Sequence, residues 1–359
     1  MKEEAIARVW WGFWQGNFGQ GNGGKGMGAG DAVGGSIPLP KIPLPCFGEP
    51  DLRAECNCRA GALGLRRGGV AWNLRPDFFM SGTHPIDLVR RVCGHRFPPL
   101  GGMVNRGFFK LMPAAVETEL FPGIRARLDL RDLTQRTTYW QGARFEYPTA
   151  EILAEWGRAG AACFFDIGSN YGFFSYWMLS QVAGLRVEAF EPNPATYERV
   201  RGIIGRNGLT RMRAWNLGLS DAPGRLMLHA GVVDSGHSTF GDHPELAGGA
   251  RGEVAVTTFD LWRREAGLAL PEVPSWVAKI DVEGFELRVL RGMREALVAR
   301  AFAGLMVEIN EFTLKLCGTS PAEVFALLAE VGYVSLANTP AGRRWPLEKT
   351  ANAFFVPRA

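Results

Sequence analysis

The chain has 359 residues, 47% of them hydrophobic and 21% charged, enough apolar material for one large folded domain and too much for a wholly disordered chain. No apolar run reaches the ~18 residues of a membrane helix, and the start lacks the basic-then-apolar order of a secretory signal, so no membrane span and a cytoplasmic setting are expected. The net charge of +4 sits in residues 1–100, which hold 12 Lys and Arg against 8 Asp and Glu, leaving 28 of each sign beyond; a neutral working region argues against a nucleic-acid partner.

The first hundred residues have their own texture. Eleven of the 46 glycines fall between Gly12 and Gly35, and SIPLPKIPLPCFGEP follows as an extended, proline-rich stretch. Residues 1–102 are therefore expected to be a Gly/Pro-rich, largely disordered extension, and 103–359 the folded domain. Cys46, Cys56, Cys58, Cys93, Cys163 and Cys317 are scattered without a CxxC pair, which predicts neither a disulfide framework nor a zinc site.

Beyond residue 103 strands and helices alternate. Residues 125–147 read as antiparallel strands or a short lid, and TAEILAEWGRAG as a helix with Ile152, Leu153 and Trp156 on one face. ACFFDIG is a buried strand, SYWMLSQVA a helix, RVEAFEP a strand, ATYERVRGIIGRNG a helix and MRAWNLGLS a third strand. After a Gly/Ser-rich insertion come VAKIDVEG as a strand, ELRVLRGMREAL as one helix, FAGLMVEIN as a strand and PAEVFALLAEVG as a helix. YVSLANT and NAFFVP close the series as a strand pair. The alternation predicts an α/β fold: a mostly parallel sheet covered by helices on both faces, with ligands beyond the carboxyl ends of the strands.

The strongest local signal is Asp166-Ile-Gly168-Ser-Asn170-Tyr-Gly172, directly after a strand and opening a helix. Gly168 and Gly172 allow a tight turn and close approach of the backbone to a ligand. Glu191 ends the next strand, where a carboxylate can accept both hydroxyls of a ribose. A dinucleotide fingerprint needs glycine where Asn170 stands, and Asp166 suits an ammonium or sulfonium better than a phosphate. The ligand expected is S-adenosylmethionine (SAM).

FFDIGSNYGFFS, EPNP, NLGLSD, TTFD and KIDVEGFELRVLRG, in that order, resemble the motif series of the FkbM family of SAM-dependent methyltransferases, over roughly Val104 to Pro357. The resemblance implies a class I methyltransferase fold, a Rossmann-like sheet of seven strands with the last antiparallel. It implies O-methylation of a hydroxyl on a sugar, glycan or natural product. It places Asp166, Gly168, Asn170 and Gly172 on the methionine part of SAM, Glu191 and Asn193 at the ribose, and Asn216, Gly218 and Leu219 at the adenine.

Methyl transfer is an in-line displacement at a sulfonium, and an alkyl hydroxyl needs a base to take its proton. Asp281 is the first choice, with Glu283 beside it and His237, in the insertion near His243, as the imidazole alternative. Lys279, Glu286, Glu308, Asn310 and Glu311 also reach the strand ends, with a structural role at helix ends as the plain reading for Glu286 and for the set Glu308, Asn310 and Glu311. No metal is expected, since nothing in the spacing demands that Asp281, Glu283 and Glu308 share an ion. A SAM-binding module without transfer activity and an NAD(P)-dependent oxidoreductase stay open as other readings.

Overall fold

The computed structural model describes residues 113–230, 238–241, 250–339, 342 and 351–358, all within the compact unit His84–Arg358. The expected disordered extension, His237 and His243 lie outside the described residues.

A hairpin of β1 (Ala115–Phe121) and β2 (Ile124–Asp129) leads into α1 (Leu133–Gln141), a 3-10 segment (Gly142–Glu146) and α2 (Thr149–Arg158). The antiparallel or lid reading of 125–147 thus holds only as far as Asp129. From there the chain turns helical because Asp132 caps α1, its carboxylate accepting from Gln135 N at 2.9 Å. The core series follows as β3 (Cys163–Ile167), α3 (Phe173–Gln181), β4 (Arg186–Phe190), α4 (Pro194–Asn207) and β5 (Met212–Trp215). Next come β6 (Gly218–Leu219), β7 (Gly224–His229), β8 (Arg251–Thr257), α5 (Phe259–Glu265) and β9 (Trp276–Ile280). The chain continues through α6 (Glu286–Gly292), α7 (Arg294–Val298), β10 (Phe302–Glu308), α8 (Glu311–Leu316), α9 (Pro321–Glu330), β11 (Tyr333–Ser335) and β12 (Asn352–Pro357).

Seven strands form the central sheet in the order β11-β12-β10-β9-β3-β4-β5. β9, β10, β3, β4 and β5 pair in parallel, and β12 runs antiparallel to both β10 and β11. With the chain stepping outward from β3 in both directions and one antiparallel strand last in sequence, this is the class I methyltransferase topology. Strand alternation divides the core between the two faces. Phe164, Val277 and Met306 pack with Tyr176 of α3 on one side, whereas Phe165, Ala278 and Leu305 pack with Phe259 of α5 and Leu290 of α6 on the other.

Two elements depart from the simple reading. The third strand divides: β5 stays in the main sheet, while β6 leaves it to pair with β8 in a three-stranded sheet with β7. ELRVLRGMREAL is two helices, not one, since the Asp260 carboxylate accepts from Glu295 N and Ala296 N at 2.8 and 3.1 Å and starts α7 as a separate capped helix.

Candidate active site

The loop between β3 and α3 lies at the carboxyl edge of the sheet. Gly168 has φ +78°, and a Cβ there would lie 1.9 Å from the Asp281 carbonyl oxygen. Gly172 has φ +90°, and its Cβ would meet the Tyr176 ring at 2.6 Å. Both glycines are therefore fixed by protein neighbours: one lets the β3 loop close against the end of β9, the other lets α3 start over its own tyrosine. Asp166 sits beneath the loop, fully buried, with Oδ2 accepting from Ser175 N at 3.0 Å and Ser175 Oγ at 2.6 Å. Burial raises its pKa against the opposing pull of Lys279 and the Ser175 hydrogen bonds.

Glu191 leaves β4 at 6% exposure. Its two oxygens gather the loops, Oε2 accepting from Asn170 N and Oε1 from Asn193 N, each at 2.8 Å. Burial outweighs those backbone bonds and pushes the carboxyl up to about 7. Asn170, at φ +48°, has a buried Oδ1 with no hydrogen-bond partner. Asn193 caps α4, accepting from Ala195 N and Thr196 N, so its side chain holds the helix end rather than facing the cleft. Asn216 likewise ties strand ends together, donating from Nδ2 to the carbonyls of Glu191 and Pro192 at 3.0 Å each. Gly218 and Leu219 form one wall of the cleft, facing Phe240.

The other wall comes from β9 and β10. Lys279, 3% exposed, lies 3.1 Å from Asp281 Oδ2 and 3.8 Å from Asp166 Oδ1, and packs over the Phe174 ring at 5.1 Å. Burial opposes its charge, but Asp281 and Asp166 outweigh burial and hold the ammonium above its ordinary pKa. Asp281, Glu283 and Glu308 each offer one carboxylate oxygen, all within 4.8 Å of one another. Among the described residues they are the carboxylates close enough to share a cation. Burial first, then Asp281, Glu283 and Glu286, raises the Glu308 carboxyl well above the usual range. Glu286, 1% exposed, uses Oε1 to accept from Val282 N and Gly284 N at 3.0 and 3.2 Å, fixing the turn that carries Glu283. Asn310 caps α8, accepting from Phe312 N.

Gly168, Asn170, Glu191, Gly218, Leu219, Asp281 and Glu283 thus line one cleft, while Asp166, Gly172, Asn193 and Asn216 shape it from behind. The enclosed part is narrow, about 50 Å³. One acidic group escapes a reading of strand ends. Glu146, on the 3-10 segment, is pushed up to about 8 by burial and by Asp281, with Lys279 pulling the other way. Nothing in GARFEYP marks it, because only the packing of the α1–α2 connection brings it to β9.

Residues 166–335 match the family described as Methyltransferase FkbM domain. The hexuronic acid methyltransferase AglP of Haloferax volcanii is 32% identical over 166 residues, 46% of this chain and 60% of that protein. The chain therefore spans less than two thirds of that relative's length. Among solved structures, the O-methyltransferase TomG of Streptomyces achromogenes, in complex with SAM, aligns over 72% of this chain and 96% of its own, with 11% identity and a TM-score of 0.35. An O-methyltransferase family protein from Burkholderia thailandensis aligns over 60% of this chain and 56% of its own, with 12% identity and a TM-score of 0.33.

Proposed function

We propose, from the premise that residues 166–335 form a methyltransferase FkbM domain, that the chain transfers the methyl group of SAM to a hydroxyl of a sugar or glycan. The observation that carries this reading is the pairing, in one cleft, of Glu191 at the end of β4 with Asp281 and Glu283 after β9, beside which Glu308 ends β10. The two sets match the two ends of the reaction. Each carboxylate oxygen of Glu191 accepts one backbone N–H and keeps a further lone pair for a ribose hydroxyl. Asn170 Oδ1, buried without a partner, suits the ammonium of the methionine part. Gly218 and Leu219 offer a flat, apolar wall for the adenine, and the acidic group favours a sulfonium over a phosphate.

In the transfer, SAM supplies the methyl and the protein aligns it and receives the proton. Asp281 is the group we assign to the acceptor hydroxyl, accepting its hydrogen bond and taking its proton as the C–S bond breaks and the C–O bond forms. Lys279 fixes the orientation of Asp281 and balances the charge of the buried acids. Glu283 adds negative potential around the sulfonium, and His237 is the imidazole candidate for the same proton. A sugar acceptor draws support from the name of the hexuronic acid methyltransferase relative.

The test is transfer of labelled methyl from SAM to a panel of glycans and small alcohols. Label on a hydroxyl supports the reading. Binding of SAM without transfer across the panel leaves a SAM-binding module, and binding of NAD(P) in place of SAM overturns the assignment.

A further inference from the structure

A second hollow lies away from the cleft, between β2 and α4. It is about 330 Å³ in volume, and Arg127, Arg131, Arg199 and Arg206 line it above Gly202 and Ile203. Two acids also reach it: Asp129 pairs with Arg131 at 3.2 Å and, against the opposing effect of burial, is held below its ordinary pKa by Arg131 and, more weakly, Arg199, and Glu198 pairs with Arg201 at 2.7 Å. No ion pair or hydrogen bond to another described residue engages the guanidinium groups of Arg127, Arg199 and Arg206.

The fold holds these charges in place. Arg199 and Arg206 stand seven residues apart on one face of α4, about 10 Å along its axis. Arg127 is on the outward face of β2, where buried and exposed residues alternate. Asn207 locks strand to helix, accepting from Arg125 N at 2.8 Å and donating to Arg125 O at 2.7 Å. At Gly202 a Cβ would meet nothing within 4 Å, so the floor is open. Three like charges around one hollow make its potential positive, which attracts a ligand with oxyanion groups. Guanidinium forks match carboxylates in geometry as well as charge.

The spacing suits an extended ligand, because arginines carried about 10 Å apart along a helix can each take a separate carboxylate. Single-stranded nucleic acid would need aromatic platforms for its bases, and none lines the hollow. The hollow also adjoins the cofactor loop: Gln135 of α1 reaches it, and one turn further along Thr138 shares a hydrogen bond with the Tyr171 hydroxyl. We propose that this groove binds an acidic saccharide through its carboxylates and so anchors the chain that carries the methyl acceptor. The inference rests on the glycan methyltransferase reading above.

Calorimetry tests it on the full chain with four probes: tetragalacturonate, neutral maltotetraose, inorganic phosphate and a dT oligonucleotide. Tetragalacturonate is expected to bind, with affinity falling as salt is added, and maltotetraose is not. The double variant Arg199→Gln/Arg206→Gln should weaken binding about tenfold or more, and Gly202→Leu should do the same by filling the floor without altering charge. SAM affinity, read in the same samples, should stay at the wild-type value and reports that each variant is folded. Equal binding of the acidic and neutral saccharides, or wild-type affinity in both variants, overturns the proposal. So does tighter binding of phosphate or oligonucleotide that is lost in the same variants. Failure of wild-type protein to bind SAM bears on the methyltransferase reading alone.

Discussion

At the scale of single residues, the cleft is defined by carboxylates that do different work. Glu191 organises two loops through backbone N–H groups and presents its remaining lone pairs outward. Glu191→Gln puts an amide NH2 against one of those N–H donors and removes the charge. SAM affinity should fall by about 1.5–3 kcal/mol, roughly ten- to a hundredfold, by calorimetry. The role proposed for Asp281 separates binding from chemistry. In Asp281→Asn, Lys279 keeps Asp166 as a partner, so SAM affinity should remain within a few-fold of wild type while turnover falls about 10²–10⁴-fold. Full turnover in that variant would remove Asp281 from the proton path.

At the scale of elements, helix ends and strand ends decide what each motif can do. In α4, Asn193 caps the start, Pro194 occupies the first turn and Gly208 closes the end at φ +57°. Inside that helix a Cβ added at Gly205 would meet nothing within 4 Å. Gly205→Ala should raise stability by about 0.5–1 kcal/mol, measured by denaturant unfolding, with SAM affinity unchanged. These ends also mark how far the sequence can be read. The parallel strands were legible because runs such as CFFDI are buried on both faces and carry apolar residues at consecutive positions, broken only by Asp166. The split of MRAWNLGLS was not, because its apolar pattern runs on through Asn216 while the pairing partner, β8, is about forty residues away in sequence. The same limit applies in the cleft. Strand-end acids such as Asp281 and Glu308 follow from the alternation of elements, whereas Glu146 arrives by tertiary packing. Gly168 and Gly172 stood out as glycines, but only the structure gives their immediate neighbours as the Asp281 carbonyl and the Tyr176 ring.

At the scale of the whole molecule, the buried acids make stability depend on pH. Glu191 and Glu286 are raised to about 7 and Glu146 to about 8, all chiefly by burial. A raised folded pKa means that the folded state binds the proton more tightly than the unfolded chain, so the stabilisation is complete below about 4.5 and is lost as pH rises through the folded value. Glu191 and Glu286 are each worth on the order of 3 kcal/mol across that window, and Glu146 on the order of 5 kcal/mol. The melting temperature should therefore fall between pH 5.5 and pH 8.5, and Glu286→Gln should flatten the fall; a melting temperature that rises over this range would contradict the burial argument. Among the described residues no helix is long and apolar enough to cross a membrane. We propose that the cofactor site is complete within residues 103–359, and a chain trimmed to those residues should bind SAM as the full chain does.

We propose that the cleft at the ends of β3, β4 and β9 receives SAM through Glu191. Calorimetric titration of the full chain with SAM, beside the same titration of Glu191→Gln, tests it most directly. Saturable one-to-one binding to wild type, weakened ten- to a hundredfold in the variant, is the predicted result. No binding to wild type, or equal affinity in the two proteins, would contradict it.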